Sequence, residues 1–211
     1  MALVGDLRTA WSALWQRLGA QGDAGSVYDD LLLAYSEPGR SYHTLAHIEH
    51  CLTEFAEVSE AAANPDAIEF ALWFHDAVYD TKAYDNEERS AALARRVLRS
   101  AALSDSFGDL VAGLILATKH AAPPVALSEQ IVVDIDLSIL GQSRARFDEY
   151  ERQIRSEYSW VPAEAFANGR SAILSSILAR PRIYSTEFFY CKYEETARGN
   201  LARSITTLLG T

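Results

Sequence analysis

The sequence has little cysteine, few positive charges and no long apolar run. Its two cysteines, Cys51 and Cys191, are too few for a disulfide framework, so a reduced, cytoplasmic chain is expected. Lysine and arginine number 19 against 29 aspartates and glutamates, a formal net charge of −10. Coating nucleic acid or an anionic membrane requires clustered cations, so neither a nucleic-acid polymer nor a membrane is expected as a partner. A small anionic substrate in a locally basic pocket stays open. No apolar stretch approaches the roughly 18 residues of a membrane span. The N-terminus mixes Asp6 and Arg8 with apolar residues and lacks the basic flank of a secretory leader.

What is present describes an ordinary globular chain. Hydrophobic residues make up 49% and charged residues 23% of 211, which excludes a disordered or low-complexity segment. One compact domain over residues 1–211 is the expectation, burying roughly 70% of its unfolded surface. Apolar residues recur at helical spacing almost throughout: Leu7, Trp11, Leu14, Trp15 and Leu18 form one stripe. Helices are predicted over Val27–Tyr35, Tyr42–Ser59 with Ser41 as cap, Ala67–Phe74, Glu87–Ala102, Phe107–Lys119, Ser128–Leu140, Ser143–Glu157, Pro162–Ala179 and Thr186–Leu209. Ser36-Glu37-Pro38-Gly39 and Asn64-Pro65-Asp66 are breaks, and Tyr79–Asn86 reads as a loop. The fold class is all-α.

Five histidines occur, four of them in two clusters. His43, His47 and His50 fall at i, i+4 and i+7, one face of a single predicted helix. His75-Asp76 ends the apolar run Phe70-Ala71-Leu72-Trp73-Phe74, where an adjacent His and Asp are costly unless something pairs with them. Asp134-Ile135-Asp136 lies in a third apolar stretch. Imidazole nitrogens and carboxylate oxygens converging on one point suit a divalent metal. Taken singly, each element has an ordinary alternative as a surface group, a chance pair or a helix cap. The ordered combination across an all-helical chain weakens those alternatives.

The order His47, His75-Asp76, Asp136 resembles the HD-domain superfamily of metal-dependent phosphohydrolases, helical proteins named for their His-Asp dipeptide. Tyr42-His43-Thr44-Leu45-Ala46-His47, Ile115-Leu116-Ala117-Thr118 with His120, and Asp136-Leu137-Ser138 are similar to signatures of the cyclic-nucleotide phosphodiesterase branch. The chain looks closer still to an uncharacterised bacterial group of predicted HD phosphohydrolases. The matching segments include Trp73 to Tyr79, Asn86 to Ala91, Asp134 to Gly141 and Glu195 to Leu201. Thr44 stands where the phosphodiesterase signature has Asn, so cyclic-nucleotide specificity is not carried over. The resemblance implies an HD-type helical bundle, with a metal-binding core over about residues 40–140 and C-terminal helices over about 143–209 completing the cleft.

The resemblance also implies roles. His47, His75, Asp76 and Asp136 would hold a divalent ion (Mn, Fe, Ni, Co, Zn or Mg) that lowers the pKa of a bound water. His43 would donate a proton to the leaving group, and Asp76 would also orient the attacking water. Lys119, His120, Tyr79, Arg170 and Arg198 are candidates to contact a phosphate substrate. Glu87, Glu88 and Asp134 are candidates to support the ligands from behind; for the two glutamates, simple helix N-terminal charge is the alternative. The expected activity is hydrolysis of a small phosphate ester, a nucleotide or related compound, by a chain that is a candidate homodimer. The rival readings are a ligand-binding module with a structural metal and an iron-dependent oxygenase.

Overall fold

The computed structural model describes residues 6–210, which contain ten α-helices, two short 3₁₀ segments and no strand. Among these residues no helix is long and apolar enough to cross a membrane. The chain divides into two compact units, 1–133 and 134–211.

The first unit is organised around one helix. α4 (Pro65–Phe74) starts with proline in its first turn, where the missing N–H has no partner to lose. Ala67, Ile68 and every residue from Phe70 to Phe74 are buried. A helix that is apolar all round belongs in the middle of a core. It packs against α1 (Leu7–Arg17), α3 (Leu45–Ala56), α5 (Asn86–Ser100) and α6 (Asp105–Ala117). The apolar stripe of α1 supplies Trp11, whose ring lies 5.5 to 6.0 Å from those of Trp15, Phe70, Trp73 and Phe74. Its indole N–H donates to the Ala24 carbonyl at 2.8 Å, at the start of α2 (Ala24–Ala34). At the start of α4, Arg17 holds Asp66 at 2.8 Å and Glu69 at 2.5 Å.

α3 begins later than the spacing predicts. Thr44, with an extended backbone, is its N-cap, and the 3₁₀ segment Ser59–Ala61 follows its end. Ser41 to His43 therefore precede the helix. α7 (Leu127–Asp136) is likewise shorter than predicted, because the chain tightens into the 3₁₀ segment Leu137–Gly141.

In the second unit, α8 (Arg144–Glu157) and α10 (Glu187–Leu209) pack on that 3₁₀ segment, and α9 (Ala163–Leu178) packs on α10. Gly141 is required there: a Cβ would stand 2.7 Å from Cγ of Tyr193. The side chain of Asn200 donates to the carbonyls of Leu140 and Gln142, both at 2.9 Å, and fixes the end of the segment. Glu194 accepts from the backbone N–H groups of Ile183 at 3.0 Å and Tyr184 at 3.2 Å, holding the approach to α10.

Candidate metal centre

His75 and Asp76 follow directly on α4, so the most buried helix of the first unit aims them. The His75 ring donates from Nδ1 to the Leu72 carbonyl at 3.0 Å. That bond fixes the tautomer and leaves the Nε2 lone pair facing outward. It faces Nε2 of His47, from the first turn of α3, at 3.0 Å. Oδ2 of Asp76 lies 3.0 Å from the His75 nitrogen and 3.5 Å from the His47 nitrogen. Both imidazoles are 1% exposed.

These spacings carry chemical information. Donors bound at about 2.1 Å in neighbouring positions of an octahedral ion stand about 3.0 Å apart. Two nitrogens and one carboxylate oxygen at 3.0, 3.0 and 3.5 Å fit one face of such an ion. Burial pushes the Asp76 carboxyl up, but the neighbouring imidazoles of His75 and His43 outweigh it, and the group is held well below the usual carboxylate range. That depression draws on positive charge at the imidazoles, a place that a bound cation would take over when His75 presents its Nε2 lone pair.

Cys51 joins this group. It lies one turn beyond His47 on α3, fully buried, with Sγ 3.7 and 3.8 Å from the two ring nitrogens of His47. The ligand atoms of His47, Cys51 and His75 all lie within 4.8 Å of one another, so these three side chains could hold a metal ion. The i+4 spacing of Cys51 from His47 is the signal in the sequence that places it here.

His43 corrects the expectation of three histidines along one helix face. It stands ahead of α3, because Thr44 caps the helix and Leu45 opens it. Its ring still reaches the group: 5.9 Å from the His47 ring and 4.1 Å from that of Tyr79, tilted by 30° from the latter. The structure thus brings His43, His47, His75, Asp76 and Tyr79 together and adds Cys51.

Arg40 escaped the sequence reading. Its side chain is only 3% exposed. From Nη1 it donates to the carbonyls of Asp76 at 2.7 Å and His43 at 3.2 Å. From Nη2 it donates to the Ala77 carbonyl at 3.2 Å and to Glu37 at 3.0 Å. Its guanidinium carbon lies 5.2 Å from the Tyr35 ring centre and 5.4 Å from that of Tyr79.

The remaining candidates have partners of their own. Lys119 pairs with Glu88 and donates to the Tyr84 carbonyl at 2.9 Å. Glu88 is therefore engaged with a lysine, and Glu87 lies beside it in the first turn of α5. His120 follows α6 with a left-handed backbone, φ 54°.

In the second unit, Asp134 is fully buried, and both its oxygens are taken. It accepts from Ser185 N at 2.8 Å and from Thr186 N and Oγ1, each at 2.7 Å. Burial raises its carboxyl above the ordinary value, against the pull of those donors. Asp134 holds the start of α10. Asp136 is the last residue of α7. Arg198 spends its donors on Glu194 and on the carbonyls of Leu178, Arg180 and Pro181. Arg170 pairs with Glu151 at 2.5 Å and Tyr150 at 2.8 Å and lines a cleft of about 200 Å³ with Phe166 and Ile173.

No protein-family model, curated protein or solved structure matches the chain.

Proposed function

We propose that this chain is a metal-dependent phosphohydrolase of the HD type, acting on a small phosphate ester such as a nucleotide. The convergence of His47 Nε2, His75 Nε2 and Asp76 Oδ2 supports this reading most directly. His47, His75 and Asp76 would hold the ion, with Cys51 as a thiolate candidate. When bound, the ion would supply a hydroxide-like water near neutral pH and polarise a phosphate oxygen.

The chain's own groups would do the rest. The Leu72 carbonyl keeps the proton of His75 on Nδ1, so Nε2 stays a donor to the ion. Asp76, ionised at any physiological pH, also accepts a hydrogen bond from the attacking water. His43, whose ring lies 4.1 Å from that of Tyr79, would protonate the departing alkoxide, a role open to an imidazolium. Tyr79 orients that ring.

Metal content of wild type beside His75→Ala, followed by a panel of nucleotides and sugar phosphates with the metal restored, tests the reading. Stoichiometric metal in wild type only, with turnover lost in His43→Ala while metal is kept, is the expected result. Metal without turnover of any phosphate ester would leave a binding module. A second reading draws on the same geometry: two histidines and one carboxylate on one face of an ion also suit a non-haem iron oxygenase. Iron as the resident metal together with substrate-dependent oxygen consumption would select it.

A further inference from the structure

We infer that Arg40 is a positioning residue for the metal ligands, acting through backbone carbonyls; the inference rests on the metal-site reading above. α4 ends at Phe74, and the carbonyls just past a helix end have no partner within the helix. Two of these, on Asp76 and Ala77, accept from the Arg40 guanidinium at 2.7 and 3.2 Å. The same guanidinium holds the His43 carbonyl at 3.2 Å, just before α3 begins. One side chain therefore ties the end of the helix that carries His75 and Asp76 to the start of the helix that carries His47.

The contacts explain why an arginine stands there. Glu37 takes Nε at 3.2 Å and Nη2 at 3.0 Å, so one edge of the fork is held by a carboxylate. Nη1 and the other Nη2 donor are thereby aimed at the three carbonyls. The rings of Tyr35 and Tyr79 cover the guanidinium. Tyr35 is itself fixed, donating from its hydroxyl to the Trp73 carbonyl at 2.9 Å in the last turn of α4. Lysine, with three donors on one nitrogen and no plane to stack, satisfies neither the spread of acceptors nor the aromatic cover. Tyr79 also meets His43 on its ring face, so the Arg40 contact bears on the orientation of the proposed proton donor.

The experiment compares metal affinity, by competition with a chelator, in wild type, Arg40→Lys, Glu37→Gln and Arg17→Gln. Arg17 grips the opposite end of α4 through Asp66 and Glu69, so Arg17→Gln serves as a control for lost stability alone. Arg40→Lys is expected to weaken metal binding 10- to 100-fold, the usual scale for groups that orient ligands from behind. Its cobalt-substituted form should show a shifted visible spectrum. Glu37→Gln, which removes the ion pair and keeps the carbonyl bonds, should stay within about threefold of wild type.

Wild-type affinity in Arg40→Lys would overturn the inference. Equal losses in Arg40→Lys and Glu37→Gln would also overturn it, because the ion pair would then be the cause. So would equal losses in Arg40→Lys and Arg17→Gln at equal thermal stability, because stability alone would suffice. Absence of metal from wild type would overturn the metal-site reading, which is a separate result from these three.

Discussion

The two units bury polar side chains in opposite ways. In the second unit, Asp134, Glu194 and Asn200 face backbone groups, and those contacts fix the ends of helices. In the first unit, His47 and His75 face each other and a carboxylate, with ring nitrogens 3.0 Å apart. A buried acceptor matched by a backbone donor contributes to the fold and needs nothing more. Lone pairs converging on one point gain most from a cation. Burial alone does not separate these roles; the nature of the partner does.

The largest effect that would test this contrast is at His75. His75→Ala should lose stoichiometric metal altogether while keeping its helical circular dichroism; retained metal would erase the distinction. Asp134→Ala should do the reverse. It strands two backbone N–H groups and a hydroxyl, at a cost of about 3 kcal/mol. At this chain length that corresponds to a Tm lowered by about 6–12 °C, measurable by calorimetry, with metal retained. Cys51→Ser should leave binding intact but shift the preference from zinc toward manganese by about tenfold, since thiolate favours the softer ion; unchanged competition between the two ions would remove Cys51 from the ligand set.

The smallest effect lies at the start of α4. Burial raises the Glu69 carboxyl above its ordinary value, against the pull of Arg17. A raised carboxyl favours the protonated folded state, so its contribution is full at low pH and is lost as pH rises through the folded value. Glu69→Gln should flatten the stability–pH curve between about pH 4 and 6 by less than about 1 kcal/mol, as denaturant midpoints across that range would report.

Helix periodicity was legible because each amphipathic stripe carries its own signal; α5, α6 and α8 lie within a few residues of their predicted spans. The start of α3 was not. Ser41 and Thr44 are both acceptable caps by composition, and only the chain's path chooses Thr44. The 3₁₀ segment after α7 ends at Gly141, where Tyr193 approaches closely, a contact between residues 52 positions apart that has no local signal. The His75-Asp76 pair was legible as polar residues at the end of an apolar run. Cys51 could have been read from its spacing. Arg40 could not, because its targets are backbone carbonyls 36 and 37 residues away, which have no sequence signature.

The burial of α4 on all sides also sets a rate. Amide protons of Phe70 to Phe74 can exchange with solvent only when the core of the first unit opens, so they should be among the slowest of that unit. His75 and Asp76 continue directly from that segment. Two of the proposed ligands therefore continue from the part of the unit that should open least often, which would keep their positions steady relative to the core.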